Sequence, residues 1–275
     1  MGETNELVSP KLDVVFKMLF TKNPDLLKDF VASILDVEVQ DIAEFVIVNG
    51  ELAPEDTDGK FSRLDINMVV DGRLVNIEIQ IRKYPDYKDR ALFYWAKLFT
   101  SDLKSGGVYG DLKQAITINV LDFTLFENRE QYFTEVVPVI RATGDVFSDK
   151  MVIKFFELGK VNPTGKMSEL ELWLKFLRAE SREDFEMIRE AGNPAVTRAV
   201  DVIYQMSKDE KIRERARIRE KALHDEASAL AGAKREGLTK GRAEGLAEGL
   251  TKGRVGLLNQ LLQAGLLTPE QASQF

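Results

Sequence analysis

Apolar and polar residues alternate along residues 63–81, and the dipeptide Asp71-Gly72 interrupts this alternation near its midpoint. Alternation predicts β-strands, because successive side chains of a strand point to opposite faces of a sheet. Asp-Gly is favoured in two-residue type I′ turns, in which both residues need a positive φ. The pattern therefore predicts a β-hairpin in which Val70 pairs with Arg73, and this pair sets the register of the ladder.

Counting outward from the turn places two acids, Asp65 and Glu78, opposite each other on one face of the hairpin. The same face sets Asn67 against Asn76, whereas the other face is apolar. Opposed side chains have Cβ atoms about 4.5–5.5 Å apart, where two carboxylates repel unless a cation lies between them. Mg²⁺ is commonly held by one or two carboxylates. The pair indicates a metal site; the alternative is that both acids face water on an exposed sheet.

The flanking segments mix helical and strand patterns. Helices are predicted at residues 9–20, 25–35 and 86–103, and strands at residues 44–48, 114–123, 132–142 and 150–157. This order of strands and helices favours a mixed α/β sheet. Ser9 is the expected N-cap of the first helix, with Pro10 at its first position. Beyond residue 167 the pattern is helical, with helices predicted at residues 168–178, 182–191 and 195–230.

Two of these helices carry candidate polar residues. The first helix is apolar around almost its whole circumference except for Asp13 and Lys17, which lie one turn apart on the same face. They form either an ion pair that reaches the surface or part of a cleft. The helix at residues 86–103 is amphipathic: its apolar stripe is Leu92, Trp95, Ala96, Phe99 and Leu103, and Arg90, Tyr94, Lys97 and Ser101 lie opposite.

Glycine recurs every fourth residue from Gly237 to Gly253 near the end of the chain. Each glycine costs a helix about 0.8–1 kcal/mol relative to alanine. Either close packing against another helix, such as that of a second copy, offsets this cost, or the tail is frayed. Three segments are expected: a core at residues 1–162, a helical extension at 163–235 and a glycine-repeat tail at 236–275, with the core boundary at Pro163-Thr164-Gly165.

Composition narrows the chemistry available to this 275-residue chain. It has no cysteine, which excludes disulfides and a cysteine nucleophile and fits a reducing compartment. The single histidine, His224, lies in a highly charged segment, which leaves none for a Ser-His-Asp triad in the core. Neither a signal peptide nor a run of membrane-spanning length is visible. We therefore expect a cytoplasmic protein without a membrane partner.

The order Asp65…Glu78-Ile79-Gln80 resembles the PD-(D/E)XK nuclease motif. Further segments are similar to the recombination-promoting nuclease (Rpn), or transposase-like, branch of this family, and together they span most of the chain. They are Lys11-Leu-Asp13-Val-Val-Phe16-Lys17, Leu64-Asp65-Ile66, Arg90-Ala-Leu-Phe-Tyr94 and the glycine repeat. The resemblance implies a restriction-endonuclease-like α/β core with a mixed central sheet flanked by helices and an α-helical C-terminal extension.

The resemblance also implies a function: Mg²⁺-dependent endonuclease hydrolysis of DNA phosphodiester bonds, with Mn²⁺ or Ca²⁺ as substitutes for Mg²⁺. Asp65, Glu78 and the carbonyl group of Ile79 would hold the metal, and Gln80 would orient the attacking water. Asp13 would complete the acidic cluster, and Arg90 would act together with Tyr94.

The chain departs from the family pattern at two positions. Leu64 replaces a proline before the first acid, and Gln80 replaces the usual lysine, although the Rpn branch also shows glutamine there. An amide orients water but supplies no positive charge. The sources of charge that we consider are Arg90, Lys97, Lys17 and Lys83.

Two other functions remain open at the level of sequence. One is a nuclease-fold protein that binds DNA or a partner without cutting it. The other is an assembly protein that forms homo-oligomers through its C-terminal helical region.

Overall fold

A mixed β-sheet forms the centre of the computed structural model, which describes residues 7–48, 66–101, 103 and 107–273. Within these residues six strands lie in the order β1-β2-β3-β4-β6-β5. The strands are β1 (Phe45–Ile47), β2 (Ile66–Val70), β3 (Arg73–Gln80), β4 (Ala115–Leu121), β5 (Phe133–Val136) and β6 (Met151–Glu157). Strands β3, β4 and β6 run parallel, and the other neighbours are antiparallel. The predicted mixed sheet is confirmed.

The hairpin of β2 and β3 has the predicted register. Val70 pairs with Arg73 and Asn67 with Asn76, across a turn in which Asp71 (φ 47°) and Gly72 (φ 74°) both have positive φ. The Asp71 carboxylate also accepts hydrogen bonds from the backbone N–H groups of two residues that precede β1, Ala43 and Glu44. The described ladder ends at the pair of Ile66 with Ile77, and Asp65, the predicted partner of Glu78, is outside the described residues.

The helices of the described residues are α1 (Asp13–Lys22), α2 (Pro24–Leu35), α3 (Tyr87–Thr100), α4 (Glu169–Arg178), α5 (Arg182–Glu190), α6 (Pro194–Lys208), α7 (Glu210–Gln263) and α8 (Pro269–Ala272). Aromatic rings from α1, α2 and α4 form one buried cluster, in which Phe20 and Phe30 both pack against Trp173. The Trp173 indole N–H donates to Asp29 at 2.7 Å. Burial raises the pKa of Asp29, although this hydrogen bond opposes the shift.

The first helix begins later than predicted. Ser9 is not its N-cap, because Leu12 takes an extended conformation (φ −69°, ψ 124°) and separates a turn at Ser9 from the helix, which starts at Asp13. The Asp13 carboxylate instead accepts from the N–H of Val14. The helix is largely buried, as an apolar pattern around almost its whole circumference indicates.

Helix α3 is rotated relative to the predicted apolar stripe. Its buried face is Tyr87 and Ala91, continued by the half-buried Trp95, whereas Leu92 is 46% exposed. The Trp95 indole N–H donates to the carbonyl group of Ala115 on β4. The side of α3 that meets the sheet therefore combines apolar packing of Tyr87, Ala91 and Trp95 with hydrogen bonds of the two aromatic residues.

The C-terminal helices begin at polar caps. Ser168 and Ser181 form capping boxes before α4 and α5, and Asn193 caps α6. The prediction of a single helix at residues 195–230 is wrong, because the chain leaves the helical conformation at Asp209. Asp209 has an extended backbone, and its side chain accepts from the N–H groups of Lys211 and Ile212 at the start of α7.

The chain divides into two compact units, Met1–Arg219 and Glu220–Phe275. The first contains the sheet and α1 to α6, so α4, α5 and α6 belong to the same unit as the sheet and pack mainly against one another and against α1 and α2. The second contains the glycine repeat, which is helical up to Gln263. The three-segment division of the sequence remains a prediction. Among the described residues, no helix combines the length and the apolar character needed to cross a membrane.

Candidate active site

Glu78 lies near the C-terminal end of β3, in the middle of the sheet, and is only 5% exposed. β3 is a central strand with β2 and β4 at its two edges, and Tyr87 lies against the face that carries the Glu78 side chain. The hydroxyl group of Tyr87, the first residue of α3, lies 2.9 Å from Glu78 Oε1 and donates to it. A buried carboxylate is costly unless it is hydrogen-bonded or paired. Tyr87 supplies one such hydrogen bond.

Asn119 offers the same hydroxyl group a second acceptor, so Glu78 and Asn119 share its single proton. Asn119 is the register partner of Glu78 on β4, and its Oδ1 atom lies 3.0 Å from the Tyr87 hydroxyl oxygen. The Asn119 amide donates in turn to the carbonyl group of Lys154 on β6, at 3.3 Å. Three strands and α3 thus share one buried polar connection.

A second polar row lies beside this connection, nearer the start of β3. Asn76 donates to Asn67 Oδ1 at 2.9 Å across the hairpin. The next residue in this row is Thr117 on β4, a buried side chain whose hydroxyl oxygen has no hydrogen-bond partner within the described residues. Polar side chains are concentrated on this face of the central strands, although the strands themselves are buried.

The chemistry of these residues fits a hard divalent cation. Glu78 offers carboxylate oxygens, and Asp65, its neighbour if the ladder continues in register, lies outside the described residues. Oxygen donors are the ligands that Mg²⁺ prefers. In the part of the chain that the structure describes, no group of three or more His, Cys, Asp or Glu residues is placed to hold a metal. A site at Glu78 would therefore depend on Asp65 and on substrate oxygens.

Gln80 ends β3 two residues after Glu78, so its side chain shares a face with Glu78. The backbone carbonyl group of Gln80 accepts from the backbone N–H of Asp122 at 2.9 Å, which fixes the end of the strand.

Lys11 forms ion pairs with Asp122 at 2.8 Å and with Glu180 at 2.6 Å. Burial alone would lower the pKa of Lys11, but these hydrogen bonds and charges outweigh it and raise that pKa.

Arg90 is held between two tyrosines on the α3 side of the sheet. Its guanidinium carbon lies 5.2 Å from the ring centre of Tyr84 and 5.3 Å from that of Tyr94, and Nη2 donates to the Tyr94 hydroxyl group at 3.2 Å. The Nε atom is buried and has no partner among the described residues. The structure thus places Arg90 and Tyr94 in contact, and their predicted joint role in the site stays a prediction.

Asp13 has a partner that the sequence did not indicate. Both of its carboxylate oxygens accept from Arg219, near the start of α7, with Nε at 2.9 and 2.8 Å, and Nη2 binds Oδ2 as well. Lys17, the other charged residue of this helix face, is 2% exposed. The carboxylate of Asp13 is thus committed to an ion pair, and its predicted part in an acidic cluster stays a prediction.

Three of these residues were missed from the sequence: Tyr87, Asn119 and Arg219. A signal for Asn119 does exist, since Thr117 and Asn119 alternate with isoleucine and valine in a strand that otherwise reads as buried. Arg219 leaves no local signal, because its partner is 206 residues away.

A family model described as PD-(D/E)XK nuclease family transposase matches residues 10–233. The match spans most of the chain, including β3 with Glu78 and Gln80 and α3 with Arg90. It confirms the family that the sequence motifs predicted. No curated protein and no solved structure was found to match the chain.

If the Asp13–Arg219 pair is structural, Arg219→Gln should lower the free energy of unfolding by about 1–3 kcal/mol, because it leaves a largely buried carboxylate without its partner. Urea denaturation measures this change. Arg217→Gln is the matched control, since Arg217 forms an exposed pair with Glu214, and such pairs contribute about 0–1 kcal/mol. Equal effects of the two substitutions would contradict a structural role for Arg219.

Proposed function

The chain belongs to the PD-(D/E)XK nuclease family transposases, and we propose that it is a metal-dependent endonuclease that hydrolyses phosphodiester bonds of DNA. The observation that carries this proposal is Glu78, a carboxylate buried in the central sheet and held by Tyr87 on the face that it shares with Gln80. We further propose that cleavage serves DNA recombination, as the resemblance to recombination-promoting nucleases implies.

Asp65, Glu78 and the carbonyl group of Ile79 would hold Mg²⁺, with Mn²⁺ or Ca²⁺ able to take its place. A divalent cation polarises the phosphoryl oxygens and lowers the pKa of the water that it binds. Gln80 orients the water that attacks the phosphorus atom. Its side-chain amide both donates and accepts hydrogen bonds, so it aligns water without taking up the proton.

Arg90 supplies the positive charge that Gln80 lacks. Its guanidinium group is always protonated and offers several N–H donors to phosphate oxygens. Packing between Tyr84 and Tyr94 restricts this side chain before substrate binds. A fixed donor costs little reorganisation when charge develops in the transition state. Arg90 and Tyr94 therefore contact the scissile phosphate.

Asp65→Asn and Glu78→Gln should each reduce Mg²⁺-dependent nicking of plasmid DNA by at least about 100-fold, because each removes a negative ligand of the cation. The rate of nicking by purified protein, followed as a function of Mg²⁺ concentration, measures this loss. Glu127→Gln is the control, since Glu127 is exposed and bound to Lys83. Unchanged nicking by the Asp65→Asn, Glu78→Gln double variant would refute the assignment.

The same measurement separates cleavage from binding alone. A DNA-binding protein that does not cut would show salt-dependent affinity that is indifferent to Mg²⁺, and no nicked product. This outcome would favour the non-cutting alternative.

Arg90→Gln should reduce the nicking rate by about 10²–10³-fold if Arg90 stabilises the transition state. Adding Gln80→Lys should then restore part of the rate, since it returns a cation to the position where the family usually has lysine. Arg129→Gln, at an exposed arginine, is the control. Two results would show that Arg90 does not supply the missing positive charge. One is an equal fall in the nicking rate of Arg129→Gln, and the other is a rate of Arg90→Gln that Gln80→Lys does not raise.

We also propose that the glycine repeat joins two copies of the chain. Leu238, Leu246 and Leu250 are exposed on a continuous helix, and a Cβ added at each glycine from Gly237 to Gly253 would meet no atom within 4 Å. A second copy of this helix can therefore approach closely and cover the leucines.

Deletion of the residues after Glu236 should convert an oligomer into a monomer, because it removes the glycine repeat. Light scattering after size-exclusion chromatography measures the mass of both chains. As a control, the unfolding temperature of the shortened chain is compared with that of the full chain, to show that the first compact unit, Met1–Arg219, is intact. If the shortened chain still forms an oligomer, the glycine repeat is not the interface between the copies.

A further inference from the structure

We propose that a pocket beside the carboxyl ends of β3 and β4 binds the phosphate backbone of DNA next to the cleavage site, through Lys175 and Arg178 of α4. This inference rests on the proposed function and deepens it, because it says where the substrate is held outside the metal site. The sequence motif assigns no role to either residue.

The pocket has a volume of about 650 Å³ and lies between the loop after β4, the segment that leads into α4, and the facing parts of α4 and α5. Its lining includes Asp122, Gly165, Lys175, Arg178 and Met187. No aromatic side chain is among the described residues that line it, so the pocket offers no ring on which a base could stack. It is therefore suited to the sugar-phosphate backbone.

The place of the pocket relative to the sheet is set by Asp122, the first residue after β4. Its backbone N–H donates to the carbonyl group of Gln80 at 2.9 Å, so the pocket adjoins the end of β3. Strands β3 and β4 are parallel and end together at this edge. In α/β sheets, ligands bind outside the carboxyl ends of parallel strands. A DNA strand with one phosphate at Gln80 would reach the pocket by continuing past this edge.

The acids of the pocket already have partners within the protein. Asp122 and Glu180 both form ion pairs with Lys11, at 2.8 and 2.6 Å. Asp184 accepts hydrogen bonds from the backbone N–H groups of Glu180 and Ser181 at the start of α5. The negative charges of the lining are thus engaged by protein groups.

The two cations of α4 differ from these acids. Lys175 and Arg178 are three residues apart and lie on one face of the helix. The charge of Lys175 interacts with that of Asp184, but within the described part of the chain neither cation forms a salt bridge. Lys175 is half-buried and Arg178 is exposed. Both cations are therefore open to an anionic ligand, and backbone phosphates are the dense source of negative charge that a nuclease meets.

The double variant Lys175→Gln, Arg178→Gln tests the inference because it removes both charges. Binding of a fluorescent DNA duplex is followed by anisotropy at several KCl concentrations, in EDTA so that the DNA is not cut. The dissociation constant should rise about 10–100-fold near 0.1 M salt, and the slope of log affinity against log salt should fall in magnitude by about 2. The loss should be equal for duplexes of different sequence, since phosphate contacts do not read bases.

Lys22→Gln, Arg141→Gln is the matched control, since it removes one lysine and one arginine that are exposed and lie outside the pocket. Its DNA affinity and salt slope should equal those of the wild type. An equal loss in this control would overturn the inference, and so would wild-type affinity and slope in Lys175→Gln, Arg178→Gln.

Two further measurements decide where the first fails. If the double variant does not fold, Arg178→Gln replaces it: a salt slope smaller by about 1 supports the inference, and an unchanged slope overturns it. If binding without metal is too weak to measure, the KM of plasmid nicking replaces the dissociation constant. A raised KM with an unchanged kcat supports the inference, because it shows lost substrate binding, and an unchanged KM overturns it.

Nicking by the wild type separates this inference from the proposed function. If the wild type binds and nicks DNA and the double variant binds as tightly, only the inference fails. If the wild type binds DNA without nicking it and the double variant binds more weakly, the endonuclease proposal fails and the contact with DNA is supported. If the wild type neither binds nor nicks DNA, both fail.

Discussion

The site depends on a carboxylate placed where carboxylates are rarely found, inside a central strand of a sheet. Burial of Glu78 is tolerated because Tyr87 donates to it and because the surrounding row of side chains is polar. A charged carboxylate in such a place is costly without a compensating charge. A divalent cation bound at Glu78, as we propose, would add an opposite charge beside this carboxylate.

The hairpin and the mixed sheet could be predicted from the sequence because local rules decide them. Asp71-Gly72 needs two positive φ angles, and once that turn is placed the pairing of Asn67 with Asn76 follows by counting. The α/β class follows from the order of strands and helices. These features involve residues close together in the chain, where period and turn chemistry are sufficient.

The contacts that complete the site could not be predicted in this way. Tyr87 and Asn119 meet across 32 residues, and Asp13 meets Arg219 across 206. The orientation of α3 was mispredicted because the stripe of Leu92 was expected to be buried, whereas Tyr87 and Ala91 pack into the apolar cluster beside the sheet and Tyr87 and Trp95 also find hydrogen-bond partners there. Candidate residues were recognisable by motif, but their partners depend on tertiary packing.

The replacement of lysine by Gln80 has a consequence for how the site is assembled. A lysine on β3 would carry its charge on the same strand as Glu78, and pairing of the sheet alone would place both. With glutamine there, the charge that we propose, Arg90, comes from α3 and would reach the site only when that helix is docked. Tyr87, the first residue of α3, makes the docking contact with Glu78 itself. The hydrogen bond between Tyr87 and Glu78 would then help to position both the metal ligand, Glu78, and the positive charge of Arg90. A change that frees α3 would weaken the contributions of both residues together.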